Sequence, residues 1–457
     1  MPIRNDEKFV EKHFFLSVII TFLTVLCLLT GLLYLSSTIP KGAIRKNLLE
    51  SISYLEENED EFYYILENNP RTLIDNYADT IEFNIMYSVS EKRPLENILI
   101  SSFYSDNRNP SYEMISILKE GIVKEKQPDT IYDRYWHGIQ MVVRPLFLFF
   151  GLKQIRVIMV SVLLLLLLFL MIRLWKKKQR TLSCSLLVAA AMVSYPMIGM
   201  CMEYIPTFLI MFAACFVCVR YYTSRKMVAI SLMVSGICCG FFDILTTETV
   251  ALVLPLAIVF CLREQNIGLE GLKKEVSFLF LSGGIWAIGY LGVFISKWCF
   301  SSLYLKTNRF TMALSMMLYR QQGVVATKSQ SGLSQPVEAL AKNFRLLLGF
   351  PLKMEEAEVL LVTIAITGMI SCVVYLYRKT GKECILSILL GILALVPVAR
   401  ILFLHSHSYQ HSYFTYRALF ATIVCLVTAV EKVIDWDLLK REDRGLAKRR
   451  KGRERWM

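Results

Sequence analysis

Apolar positions fall in long unbroken runs, without the strict alternation of a half-buried strand or the one-sided stripe of a surface helix. The runs near 14–36, 156–175, 181–200, 206–222, 227–243, 248–262, 276–297, 358–376, 384–404 and 413–430 reach or approach the roughly 20 residues a helix needs to cross a bilayer core. This pattern predicts an all-α integral membrane protein with about ten transmembrane helices, because only a helix or a closed barrel satisfies its backbone in lipid. The first run is longer than the roughly 7–15 apolar residues of a cleavable signal, and no small-x-small site follows it. It reads as an uncleaved anchor.

Polar intervals divide the chain into 1–36 (N-terminus and first span), 37–138, 139–297 (membrane core), 298–356, 357–430 (last spans) and the basic tail 431–457. The interval 37–138 is long enough for a small domain. Apolar spacing at Leu55, Phe62, Ile65 and Leu66, and again at Ile74, Ala78, Ile81 and Ile85, predicts helices lying on or near the membrane. In 298–356, the segment Val337–Leu348 predicts an interfacial helix after a turn-like stretch at Ser331–Pro336. No fixed-period repeat or low-complexity tract occurs.

Composition agrees with the membrane assignment: 55% of residues are hydrophobic and only 19% charged, against about 25% charged in a typical soluble domain. The net charge of +13 would suggest a nucleic-acid partner in a soluble protein. Its distribution suggests orientation instead. Arg173, Lys176, Lys177, Lys178 and Arg180, then Arg220, Arg225 and Lys226, then Arg378, Lys379 and Lys382 fall at alternate turns, while the turns near 201–206, 244–248 and 404–412 have no Lys or Arg. Under the positive-inside rule this places both termini in the cytoplasm of a multi-pass cell-membrane protein, with 37–138 and 298–356 outside. Cytoplasmic segments then hold 27 basic and 13 acidic residues; the first outer interval holds 18 acids against 11 bases, the second 3 against 7. No nucleic-acid partner is needed, and the basic tail reads as a topology and anionic-lipid signal. The twelve cysteines lie in or beside apolar runs and none in 37–138, so they read as packing residues.

No P-loop, dinucleotide fingerprint, H-E-x-x-H or G-x-S-x-G occurs, which excludes the common soluble enzyme classes. Candidate chemistry therefore rests on polar residues at the outer side. Asp75 and Asp79, flanking Asn76 and Tyr77, would share a helix face at i and i+4, suited to a general base beside a metal or hydroxyl ligand; a solvated face with Asp75 as a cap is the plainer reading. Arg134, Tyr135, Trp136 and His137 precede the second span, with Arg144 following. They read either as an interfacial aromatic belt or as a cationic collar for phosphate. Further groups sit at outer span ends: Glu203, Asp243, Glu248, Lys297, Arg400, His405, His407, His411 and Arg417. The three histidines at 405, 407 and 411 either ligate a metal or serve as polar loop and substrate contacts. Ionisable residues within spans are functional candidates by default.

Leu73-Ile74-Asp75-Asn76-Tyr77-Ala78-Asp79, Arg134-Tyr135-Trp136-His137-Gly138, Phe242-Asp243-Ile244-Leu245-Thr246 and His405 through Arg417 look like segments of uncharacterised polytopic proteins of Gram-positive bacteria. The arrangement, a first span followed by a large acidic outer loop and then many spans, resembles the GT-C superfamily of membrane glycosyltransferases. The resemblance spans most of the chain; Asp75 lies farther beyond the first span than the acidic motif of that superfamily usually does. It implies transfer of a sugar from a polyprenyl-phosphate donor to an extracytoplasmic glycan or lipid acceptor in cell-envelope or surface-polysaccharide modification. Asp75 or Asp79 would be the base. Arg134, His137, Arg144, Arg400 or Arg417 would face the leaving phosphate, Tyr135 and Trp136 would stack on sugar, and a divalent metal (Mg or Mn) would be optional. A transporter or flippase of lipid-linked or polar solutes, and a surface-polysaccharide polymerase or ligase, share these features; a scaffold with a partner-binding outer domain is a non-catalytic alternative.

Overall fold

The computed structural model describes residues 6–106, 113–323, 334–378 and 384–436, with side chains from 14 onward. The basic tail from 437, Lys379, Lys382 and residues 331–333 of the expected turn lie outside the described residues. The order of elements is α1 (Asp6–Ser37), α2 (Lys41–Asn58), β1 (Phe62–Tyr64), β2 (Leu73–Asp75), α3 (Asn76–Tyr87), α4 (Pro94–Ile100), α5 (Met114–Val123), α6 (Gln140–Leu146) and α7 (Leu152–Lys176). It continues with α8 (Arg180–Met192), α9 (Ile205–Tyr221), α10 (Arg225–Phe242), α11 (Val250–Asn266), α12 (Leu272–Leu305), α13 (Arg309–Gln322) and α14 (Gln335–Leu348). The chain ends in α15 (Glu356–Leu376), α16 (Ile385–Phe403), α17 (His405–Gln410), α18 (Ser412–Thr415) and α19 (Leu419–Val433).

Among the described residues, seven helical segments are long and apolar enough to cross a membrane: Phe14–Ser37, Leu152–Lys176, Arg225–Phe242, Leu272–Leu305, Glu356–Leu376, Ile385–Phe403 and Ser412–Val433. The other three expected runs are also helical, but α8, α9 and α11 are only 13, 17 and 17 residues long. The α8 run is cut short because Ser194, in left-handed conformation, leads into a 3-10 turn over Tyr195–Met200. Helix α11 is buried along almost its entire length, as expected of a helix apolar on all sides at the centre of a bundle. The protein is thus a mainly helical, multi-pass membrane protein, and all twelve cysteines are unbridged.

Two boundaries differ from expectation. The run at 276–297 extends to a 34-residue helix, α12, because Trp298, Ser301 and Ser302 continue it with hydrogen bonds outside the apolar stretch, including Ser301 to the Leu99 carbonyl (2.8 Å). The expected helical stripe of Leu55, Phe62, Ile65 and Leu66 is not one helix. Helix α2 stops at Asn58, Leu55 is buried, and Ile65 and Leu66 are exposed. Aromatics favour an extended, pleated backbone, and Phe62–Tyr64 pairs antiparallel with Leu73–Asp75, Phe62 opposite Asp75. The helix expected at 337–348 forms as α14, but its inner face packs on α15, α16 and α17.

Close packing of α10 on α12 depends on absent side chains. A Cβ at Gly236 would lie 2.2 Å from the Trp286 carbonyl oxygen, and one at Gly240 2.6 Å from that of Tyr290. Small residues let membrane helices approach to backbone contact, and here the approach brings Asp243, which follows α10, towards Tyr290 on α12.

Candidate functional site

Asp75 is delivered by the short β-ladder to the N-terminus of α3. Its Oδ1 accepts from the Ala78 backbone N–H (2.9 Å), capping a helix whose first amides otherwise lack partners. Its Oδ2 accepts from the Tyr413 hydroxyl (2.8 Å), a contact across 338 positions of sequence. The Glu203 carboxyl, from the turn before α9, lies within hydrogen-bonding reach of Asp75. Both acids are buried, at 4% and 5% exposure. Burial pushes the Asp75 carboxyl up from the ordinary carboxylate range and the Glu203 carboxyl well above it, the neighbouring Asp75 charge adding to the latter. Two such acids cannot both ionise cheaply.

Around this pair stand groups from three further elements. The Tyr413 hydroxyl also meets His411 Nδ1 (3.2 Å), and His411 stacks on Phe414 with its ring 4.8 Å from that of His407. Helix α13 contributes Arg320, whose guanidinium lies over the Tyr135 ring at 5.5 Å and whose charge acts on Glu203, His407 and His411. Its position is held from the other end of the helix, where Arg309 forks onto both Asp133 oxygens (2.5 Å each). Glu203 Oε1, Glu248 Oε2, the Tyr290 hydroxyl, Arg320 Nη1 and His407 Nδ1 have no hydrogen-bond partner. Buried polar atoms are nearly always satisfied, so five unpaired ones in neighbouring elements mark a place where water or a polar ligand belongs. A cleft of about 600 Å3 in the first polar domain, bordered by Tyr87, Lys92 and Lys126, is a separate feature.

Several sequence candidates have structural duties instead. Asp79 does not share an open face with Asp75: Asp75 is the cap and not a helical residue, while Asp79 accepts from the Met202 backbone N–H (2.8 Å) and pairs with Arg156 (3.3 Å). Asn76 accepts from the same Arg156 (2.5 Å) and donates to Glu59 (3.0 Å). Tyr77 stacks on Phe62. The residues of the alternative cationic collar have separate partners in the fold. Arg144 is buried, donating to the carbonyls of Ile39 and Met86; His137 lies between Glu82 (2.6 Å) and the Tyr132 carbonyl (3.0 Å); Arg134 rests on the Tyr132 ring at 4.7 Å. Trp136 is 1% exposed, stacked on Phe241, with its N–H donating to the Val293 carbonyl (2.9 Å), so it cannot reach a sugar. Lys297 donates to the Ile98 carbonyl (2.6 Å).

Asp243 accepts from Thr207 (2.9 Å) and from the amides of Leu245 and Thr246, closing a loop in which Leu245 has φ 73°. A bulky residue in that region is strained, and such strain collects at sites. Arg400 fastens the loop: it donates to Glu248 (2.9 Å), Ser408 (3.1 Å) and the Leu245 carbonyl (2.5 Å), so its charge is already committed. Arg417 donates to the carbonyls of Tyr413 (2.7 Å) and Arg71 (3.1 Å). His405 is half-buried on α17, beside the cluster in sequence.

A divalent metal does not fit these residues. Mg or Mn favours about six oxygen ligands, yet among the described residues no group of three or more His, Cys, Asp or Glu side chains could hold one, and Asp75 and Asp79 already accept two donors each. No family model, curated protein or solved structure matches the chain.

In the sequence Glu203 stands out only as a polar span end, Tyr413 only as part of the His405–Arg417 segment, and Arg320 and Tyr290 not at all. Glu203 did leave a signal: it is the lone acid between residues 181 and 242. Arg320 left none, since it is one of seven bases in its interval.

The histidines give a testable pH dependence. Burial, then the charges of Arg320 and Arg400, push His411 down from 6.5 to about 4. Its folded value is the lower one, so its contribution to stability is present above pH 6.5 and lost as pH falls from 6.5 towards 4. Thermal midpoints of His411→Gln in nanodiscs should therefore fall less across that window than those of wild type; an equal fall would show that His411 is not held neutral.

Proposed function

We propose that this protein is a membrane glycosyltransferase that moves a sugar from a polyprenyl-phosphate donor to a hydroxyl of an extracytoplasmic glycan or lipid. The observation that carries the reading is the buried Asp75 carboxylate, with Glu203 and Tyr413 beside it, in a neighbourhood that also contains Arg320, whose Nη1 has no hydrogen-bond partner. In this reading α8, α9 and α11 cross the membrane as well, making ten spans with both termini cytoplasmic and the Asp75 side extracytoplasmic.

The reaction needs a base, an anion partner and a site shielded from water. The acceptor oxygen forms a bond to the anomeric carbon while the bond from that carbon to the phosphate oxygen breaks, its electron pair remaining on the phosphate. The hydroxyl proton passes to Asp75. Arg320 faces the charge gathering on the phosphate, the term that usually contributes most to catalysis. It takes that role in place of Arg144 and Arg400, whose guanidinium groups donate to carbonyls, a carboxylate and a serine. No step requires a metal.

The test supplies purified protein in liposomes with radiolabelled polyprenyl-phosphate sugars and cell-envelope acceptors. Covalent transfer supports the reading, and Arg320→Gln should lower kcat/KM for the lipid donor by about 10- to 100-fold, the scale of a lost charge-assisted contact. Movement of label across sealed vesicles without covalent product would instead establish a transporter.

A further inference from the structure

We propose that Asp75 and Glu203 act as a buried pair holding a single proton between them at neutral pH, with Glu203 the positioning residue that sets how readily Asp75 takes up a proton. The pair rests on the packing of the turn that carries Glu203 against Asp75, whose backbone N–H meets Cys201 Sγ (3.3 Å); its use in catalysis rests on the glycosyl-transfer reading of Asp75.

The argument begins with hydrogen-bond capacity. An ionised carboxylate only accepts, whereas a protonated one also donates. Asp75 already accepts on both oxygens, from Ala78 N–H and from the Tyr413 hydroxyl, the pattern of the ionised member. Glu203 brings its carboxyl to Asp75 while its Oε1 finds no donor. An ionised Glu203 would set a second negative charge, lacking one hydrogen bond, against the first in a buried site. A protonated Glu203 donates to Asp75 and removes that repulsion, as in carboxylate pairs that share a proton.

The surrounding charges do not undo this. Asp75 faces Cys201 and Glu203 from the segment before α9, Tyr413 from α18, with His411 beyond Tyr413. Asp79 and Tyr77 on α3 and Glu61 near the β-ladder also face the pair. Glu203 faces Tyr204, Asp79 and Asp243, and Arg320 from α13. The neighbouring acids oppose a second ionisation. Arg320 favours one, but it is half-buried and its ring contact is with Tyr135 rather than with Glu203. Arg156, the other nearby cation, is occupied by Glu59 and Asp79.

If Glu203 holds the proton at rest, Asp75 is an ionised base whose carboxylate is steadied by the hydrogen bond Glu203 donates, against the burial that raises its proton affinity. Glu203→Gln keeps a donor to Asp75 but cannot ionise. The experiment has two arms on the purified full-length protein in nanodiscs. In the first, the infrared difference spectrum of wild type minus Glu203→Gln at pH 7 should contain a protonated-carboxyl band; carboxylate bands alone would overturn the proposal. Loss of that band on adding Mg2+ or Mn2+ would also overturn it, because a cation would then occupy the place assigned to the proton. In the second arm, the acidic limb of the kcat/KM profile for sugar transfer should stay in place in Glu203→Gln, which keeps a neutral donor to Asp75, and should move by about one pH unit to higher pH in Glu203→Leu, which removes that donor. A limb displaced to lower pH in folded Glu203→Gln, the mark of a removed like charge, or a limb unmoved in folded Glu203→Leu would overturn the proposal. A band without transfer from any donor would leave the proton-sharing pair standing and remove the glycosyltransferase reading; transfer without the band would do the reverse.

Discussion

Asp75→Asn is expected to lower sugar transfer about 10²- to 10⁴-fold, the usual contribution of a positioned general base, while leaving the fold intact. Asparagine caps a helix about as well as aspartate: its Oδ1 can still accept from Ala78 N–H while its Nδ2 donates to the Tyr413 hydroxyl oxygen, so the change removes basicity and little else. The thermal midpoint should stay near that of wild type, whereas Asp75→Ala should also lose about 1 kcal/mol of capping energy. Comparing single-turnover transfer with thermal unfolding for both variants separates chemistry from structure. Transfer by Asp75→Asn within a few-fold of wild type would exclude Asp75 as the base.

The largest expected effect on stability lies a turn away, at Arg156. This α7 residue donates to Glu59 (2.9 Å), to Asn76 (2.5 Å) and to Asp79 (3.3 Å), and both ion-paired acids are buried. Arg156→Met should destabilise the protein by about 3–5 kcal/mol, because breaking a buried network from one side leaves uncompensated charge. Adding Glu59→Gln and Asp79→Asn to that variant should recover much of the loss, since the remaining groups are then neutral. Reversible unfolding in mixed micelles, or expression yield with thermal midpoint, would measure this. A loss below about 1 kcal/mol, the range of exposed pairs, would mean that the acids are protonated. That outcome has a physical basis: burial pushes Asp79 up to about 7 in spite of Arg156.

Together these residues show why spacing along the chain misdirected the assignment of the site. Asp75 and Asp79 are four apart and would face the same way on one helix. The helix begins between them, so one acid became a cap turned towards Tyr413 and the other turned to Arg156. The partner that lies beside Asp75 is Glu203, from a turn between two apolar helices. Cationic candidates failed for a related reason. Arg400 and Arg417 stand out in the sequence because a charge near lipid is costly, and Arg144 as part of a phosphate collar; in the fold all three donate to carbonyls or a carboxylate of the protein itself. The same reasoning passed over Arg320, which sits in a polar interval where a base attracts no notice, yet keeps a guanidinium nitrogen unpaired in the cluster.

What the chain determined by itself is the set of membrane helices. All ten apolar runs are helical, seven of them long enough to cross a bilayer, because the preference for lipid is a sum over one contiguous window of about 20 residues and needs no distant partner. Which polar groups meet was decided only by the tertiary structure. Tyr413 reaches Asp75 across 338 positions and Arg400 reaches Glu248 across 152. Such pairings depend on how helices cross and where each one stops, as at Ser194 after α8 and at the glycine-mediated approach of α10 to α12. Neither is written in any local window. A buried charge announces that it must have a partner; only the packed helices determine which one it finds.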